Sequence, residues 1–296
     1  MFIDIDSTIC EVHGDAKQGA GFGYTRVKGL HPLVATRADT GEVLHARMRK
    51  GSANSARGAQ RFVRETVGRV RRAGAAGKLT LRADSAFWSH KVIKACTDHQ
   101  MDFSITVRAQ KHIVTAIGAI DEDAWVDIAY TAGGLAQVAE TVWAGHRLIV
   151  RRTKVNDPKV LALFPDWRLH AFVTNRTGDA VTLDADHRAH AVIELAIREL
   201  KEGAGLNHCP SGNFHANGAW LLATTLAHNL VRWTQLLGAA DGRPMLAKTL
   251  RRRLLDIPGR ITRTARRWRL HLPTDWPWAT QFEGTLRRLR AIPAPA

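Results

Sequence analysis

The chain has 296 residues, 43 of them Lys or Arg and 27 Asp or Glu, which gives a formal charge of +16 at pH 7. A field of that sign attracts polyanions by releasing their counterions, so nucleic acid is the expected partner class and an anionic membrane surface its rival. No apolar run approaches the roughly 18 residues that span a bilayer, and the N-terminus MFIDIDSTIC lacks the basic and apolar stretches of a signal peptide. Three widely spaced cysteines, Cys10, Cys96 and Cys209, offer neither a disulfide framework nor a CxxC zinc ribbon, and fit a reducing cytoplasm.

In chain order, Met1 to Thr8 alternates as a strand, with Phe2, Asp4 and Asp6 on one face and Ile3 and Ile5 on the other. The glycine-rich GDAKQGAGFGYTRVKG that follows lacks the strand-turn-helix setting of a nucleotide fingerprint and reads as a hairpin or flexible connection. His31 to Ala38 and Val43 to Met48 form two strands around the turn Asp39-Thr40-Gly41. Ser55 to Ala73 is helical, with Phe62, Val63, Val67 and Val70 on one side and arginines on the other. Lys78 to Asp84 is a strand, Ser89 to His99 a helix and Met101 to Arg108 a strand. From Lys111 to about Asp166 helical periodicity is lost, and AWVDIAY, QVAETVW and HRLIVRRTKV predict a β-rich insertion outside the central sheet. Leu169 to Thr174 is a strand again. Asn217 to Leu237 is a long apolar helix, too polar at His228, Asn229 and Arg232 to cross a membrane. Residues 241–296 carry 13 Lys and Arg against 4 Asp and Glu, with Pro258, Pro273, Pro277, Pro293 and Pro295 among them. The expected division is 1–110, 111–166, 167–240 and 241–296.

Three acids stand out. Asp6 and Asp84 end strands, where an aspartate commonly caps a turn or helix. Glu194 lies in HRAHAVIELAIRELK, where His187, His190, Glu194, Arg198 and Lys201 fall within roughly 40° of one line at 100° per residue. The opposite side, with Ala189, Val192, Leu195, Ala196 and Leu200, can face a core, so the polar stripe is expected in solvent. Two strand-end aspartates and a helix glutamate can bind hard divalent cations if their elements are neighbours. A pair of such cations roughly 3.5–4 Å apart suits phosphodiester chemistry. A zinc set of His187, His190 and Cys209 lacks the spacing of known zinc motifs.

With these motifs the chain resembles insertion-sequence transposases of the DDE type, in the group whose third acid lies in Y-x2-R-x3-E-x6-K. Glu194 and Lys201 preserve E-x6-K, while His187 and His190 stand at the Tyr and Arg positions. Asp6-Ser7-Thr8 matches the first acid with its hydroxyl pair, Asp4 being the alternative, and Leu81-Arg82-Ala83-Asp84-Ser85-Ala86-Phe87 matches the second. The segments KGLHPLVATRADTGEVLHARMRKGSA and GLNHCPSGNFHANGAW also resemble the group.

The resemblance implies an α/β fold: a ribonuclease-H-like core of mixed sheet with helices on both sides and a β-rich insertion between the second Asp and the Glu. It implies catalysis by Asp6, Asp84 and Glu194 holding Mg²⁺, with Mn²⁺ as a substitute. Lys201, with Arg198, His187 and His190, would contact DNA near the cleaved end. The implied partners are double-stranded transposon-end and target DNA, bound by a homodimer in the nucleoid-containing cytoplasm. Members of the group carry a helical DNA-binding region before the first catalytic strand, so a chain starting at that strand is expected to be an N-terminally truncated copy or to have a misassigned start. The competing functions are a non-catalytic DNA-binding remnant and a structure-specific nuclease of the same fold.

Overall fold

The computed structural model describes residues 1–23, 25–130, 134–155, 167–240 and 245–293. One mixed sheet organises it. Strand β1 (Phe2–Ser7) is followed by three short strands, β2 (Cys10–Glu11), β3 (Gly21–Phe22) and β4 (Lys28–Leu30). These form a separate small sheet in the order β2-β4-β3. This is the glycine-rich region, and its glycines let backbones cross closely: a Cβ on Gly29 would lie 2.5 Å from the Cys10 carbonyl oxygen.

Strands β5 (Leu33–Arg37) and β6 (Val43–Arg47) make an antiparallel hairpin, with β5 beside β1. Helix α1 (Ala59–Arg72) buries Phe62, Val63, Val67 and Val70, and carries Arg69, Arg71 and Arg72 in its last turn, where the helix dipole favours cations. Strand β7 (Thr80–Ala83), helix α2 (His90–Asp98) and strand β8 (Asp102–Val107) follow, and β1, β7 and β8 run parallel. Ser89 caps α2, its hydroxyl accepting from the Val92 N–H at 3.2 Å.

Residues after Lys111 differ from expectation in two respects. Lys111–Gly118 is a helix, α3, burying Ile113 and Ile117. The strands beyond it, β9 (Val126–Asp127), β10 (Gly134–Trp143) and β11 (His146–Val155), are not outside the central sheet. Strand β12 (Arg168–Thr174) pairs antiparallel with β8 on one side and β11 on the other. The result is one nine-stranded sheet, β6-β5-β1-β7-β8-β12-β11-β10-β9. The segment is β-rich, but its strands extend the central sheet, because the unpaired edge of β8 is completed by β12 and then by the ten-residue β10–β11 ladder. Residues 156–166 of the expected insertion lie outside the described residues.

The two faces of the sheet differ. One, with Ile3, Ile5, Leu81, Ala83, Phe103 and Ile105, forms the main core with α1 and α2. The other faces helices α4 (Ala180–Arg188), α5 (Val192–Arg198) and α6 (Phe214–Gly238). There Val34, Val43 and Ala46 pack with Leu200, Leu206 and Leu221, while the central strands present polar side chains. Asp4 and Arg82, both buried, form a bidentate pair at 2.6 and 2.8 Å, and Arg82 also donates to the Asp186 and Ala189 carbonyls at the α4–α5 junction. That single guanidinium ties β1, β7 and the helical segment together.

The remaining described residues form α7 (Ala247–Leu250), an exposed antiparallel pair, β13 (Arg260–Thr264) with β14 (Arg267–His271), and α8 (Ala279–Arg290), which packs on α6. No described helix is long and apolar enough to cross a membrane.

Candidate active site

In parallel sheets, sites form beyond the carboxyl ends of neighbouring strands. Strands β1 and β7 are such neighbours, and their register pairs Asp4 with Arg82 and Ile5 with Ala83. Asp6 and Asp84 are therefore the next residues on adjacent parallel strands, on the face opposite Ile5 and Ala83. Both line a cleft of about 670 Å³ whose far wall is aromatic. Trp143, at the end of β10, stacks on His112 at 5.3 Å and tilts against Trp88 at 5.4 Å.

Glu194, exposed in the first turn of α5, reaches the site from above. With Asp6, Arg198 and Lys201 it lines a smaller cavity of about 290 Å³. Asp6 is common to both cavities and is the hinge of the site. Its carboxyl is pushed up from 3.8 to about 7, chiefly by burial; the Ser7 N–H opposes the rise, and the Asp84 and Glu194 charges add to it. Asp84 is also a cap, accepting from the Ala86 N–H at 3.0 Å, which fixes its carboxylate. Among the described residues no three ligating side chains are already gathered into a metal-binding set. The chemistry nevertheless fits a hard divalent cation: Asp6, Asp84 and Glu194 offer only oxygen donors, and the charges of the other two add to the rise at Asp6.

The stripe divides. Arg198 is exposed, and Lys201 donates to the Ile9 carbonyl at 3.0 Å and approaches Thr8 Oγ1 at 3.3 Å, both beside Asp6. His187 and His190 turn inward, contrary to expectation. His187 stacks on Phe172 at 4.1 Å, with Nδ1 2.7 Å from Ser104 Oγ and Nε2 2.9 Å from Thr106 Oγ1. Burial pulls its pKa down to about 3, so the ring is neutral. His190 sits 3.3 Å from the Ile5 carbonyl, its pKa also lowered by burial. The cause is a break in the helix. Residues Ala189–Ala191 are a 3-10 turn and Glu199–Gly203 a π-helical one. A 3-10 turn advances about 120° per residue instead of 100°, which rotates the first part of the stripe away from the second. The expected alternative first acid, Asp4, is fully buried on Arg82 and does not reach the cleft.

Sequence reasoning missed Arg49. It is buried, and its guanidinium donates to the carbonyls of His31, Asn54, Ser55 and Arg57 at 2.9–3.0 Å. It thereby shapes the loop whose Asn54, Ser55 and Ala56 line the cleft. Nothing local in the sequence separates this arginine from the many others.

The fold is similar to that of a piggyBac transposase solved by cryo-electron microscopy in a synaptic complex with hairpin DNA. The TM-score is 0.53 at 11% identity, over 84% of this chain and 50% of that one, so the chain spans about half the length of that protein. No curated protein matches the chain in sequence. The family described as transposase DDE domain, group 1, matches residues 1–294, and the chain belongs to it. It is thus a member of a transposase family of the polynucleotidyl-transferase class, whose members generally use divalent metals and act on DNA.

Proposed function

We propose that the protein cuts and joins DNA strands during transposition of an insertion sequence, with Asp6, Asp84 and Glu194 as its catalytic acids. The observation that carries this reading is the register of β1 and β7, which sets Asp6 beside Asp84 at the mouth of the cleft while α5 brings Glu194 to the other side of Asp6. In the first step water attacks a phosphodiester at the element's end, leaving a 3′-hydroxyl and a 5′-phosphate. In the second, that 3′-hydroxyl attacks a phosphodiester of target DNA, forming a new bond and releasing a target 3′-hydroxyl. Attack on the opposite strand instead gives a hairpin end.

The three carboxylates would hold Mg²⁺, or Mn²⁺ in its place, which when bound activates the attacking oxygen and stabilises the leaving one. Lys201 and Arg198, on the same cavity as Glu194, would hold the phosphate of the cut end. His187 and His190 take no part in DNA contact in this reading; they carry the helical segment on the polar face of the sheet. The working species is a homodimer assembled on two element ends, acting at the nucleoid.

The test uses a supercoiled plasmid bearing the gene's genomic flanks. Wild-type protein with Mg²⁺ should nick at the flank boundary and join precut ends to target, whereas Asp84→Asn and Glu194→Gln should bind with unchanged affinity and lose cleavage by at least 10²-fold. Cleavage indifferent to the flanks would indicate a structure-specific nuclease. Binding with no cleavage by wild type would indicate a DNA-binding remnant.

A further inference from the structure

The β13–β14 ribbon is exposed along almost its whole length. Of residues 260–264 and 267–271 only Thr262 is partly covered, and Ile261, Trp268 and Leu270 are 66%, 69% and 61% exposed. A lone two-stranded ribbon is marginal in water. This one is also held in an uncommon turn: Ala265 and Arg266, the two loop residues, have φ of 50° and 61°, the left-handed pair of a tight hairpin built without glycine. No acid occurs between Ile257 and Thr274, while Arg260, Arg263, Arg266, Arg267 and Arg269 all do.

The register sorts these residues. Arg260 faces His271, Thr262 faces Arg269 and Thr264 faces Arg267, so one side of the ribbon is a ladder of hydrogen-bond donors. On the other side Ile261 faces Leu270, and the Arg263 guanidinium lies 5.4 Å over the Trp268 ring. These two cross-strand pairs hold the ribbon together. Thr262 and His271 are linked at 2.9 Å across the donor side.

We propose that this ribbon is a DNA-backbone clamp: its Arg260/Arg267/Arg269/Thr face, with Arg266 at the tip, lies along the phosphates of duplex DNA, outside the catalytic cleft and without reading sequence. The proposal rests on the DNA-processing reading above and adds a second, separate contact to it. Charge complementarity selects the occupant. A five-residue strand spans about 17 Å, a length over which duplex DNA presents on the order of ten phosphate charges. The rival partner of that chemistry is an anionic lipid surface.

The experiment compares the full chain with Arg260→Gln/Arg266→Gln/Arg267→Gln/Arg269→Gln, and with a control losing the same charge from exposed sites, Arg64→Gln/Arg72→Gln/Arg287→Gln/Arg290→Gln. Anisotropy of two labelled 30-bp duplexes of unrelated sequence is read in EDTA from 50 to 200 mM NaCl, with binding to phosphatidylserine vesicles in parallel. Four phosphate contacts contribute about −3.6 to the slope of log affinity against log salt, so the ribbon variant should be less salt-sensitive than wild type by on the order of 10²-fold across that range, equally for both duplexes. The control should keep nearly the wild-type slope. A ribbon variant with the wild-type slope, a control flattened as much as the ribbon variant, or a loss confined to vesicle binding would each overturn the clamp while leaving the catalytic reading standing. Failure of wild type to bind any duplex would remove both.

Discussion

Asp6 gives the sharpest test of the site, because its carboxyl is strained before any cation arrives. Its pKa is about 7 in the fold against 3.8 for the free side chain. The folded value is raised, so the metal-free fold keeps its full stability below about pH 4, where the group is protonated folded or unfolded. It loses stability as pH climbs toward 7. A difference of roughly 3 units at 1.36 kcal/mol each is about 4 kcal/mol. Asp6→Asn keeps the shape and the Ser7 N–H acceptor while removing the charge. In urea titrations with EDTA, the variant should match wild type at pH 4 and exceed it by up to about 4 kcal/mol at pH 8. Adding Mg²⁺ at about 100 times its Kd should then stabilise wild type by about 2.7 kcal/mol and leave the variant unmoved. A stability gap that is flat with pH, or a variant weaker than wild type at pH 8, would refute the picture of a desolvated carboxyl crowded by two others.

Three further outcomes follow from the geometry. Asp4→Ala leaves Arg82 buried without its carboxylate and should cost about 3–5 kcal/mol in urea unfolding, a loss where Asp6→Asn gives a gain. Arg49→Met strips donors from four carbonyls and should cost roughly 2–4 kcal/mol, with faster hydrogen exchange confined to residues 52–57. His187 has a depressed pKa of about 3, so it stabilises the fold above pH 6.5 and that contribution is lost as pH falls toward 3. His187→Phe should therefore flatten the acid limb of the stability profile, while leaving the Ser104 and Thr106 hydroxyls unpaired at a cost of about 1–3 kcal/mol each at pH 7.

Much of the core could be read from alternation alone. The strand at Phe2–Ser7 and that at Thr80–Ala83 show it in their own residues; the first carries Asp6 near its end and the second is followed directly by Asp84. The expectations that failed depended on partners distant in sequence. Whether Asp4 or Asp6 faces the cleft cannot be told from FIDIDS, since both share a face; Arg82, 78 residues away, decides it by taking Asp4. The helical stripe looked uniform because a 3.6-residue period was carried through Ala189–Ala191, where the chain is wound tighter. The β10–β11 strands were legible as strands but not as members of the central sheet, because sheet membership is set by β12 completing the edge of β8. The arginines of residues 260–269 were visible as charge. The sorting of Arg260, Arg267 and Arg269 onto one face of a ribbon required the turn at Ala265-Arg266.

The continuity of the nine-stranded sheet bears on where mechanical work is done. A wall carried by a separate module could swing to admit a distorted DNA end. Here Trp143 is joined to the strand of Asp84 through unbroken ladders, β7 to β8 to β12 to β11 to β10, and moving one against the other means shearing backbone hydrogen bonds. The gap between carboxylates and aromatic wall is thus a fixed gauge. On the proposed function, a duplex too stiff to conform would be turned away, and the compliance such a reaction needs would come from the nucleic acid, at unstacked or easily kinked steps near the cut, rather than from the protein.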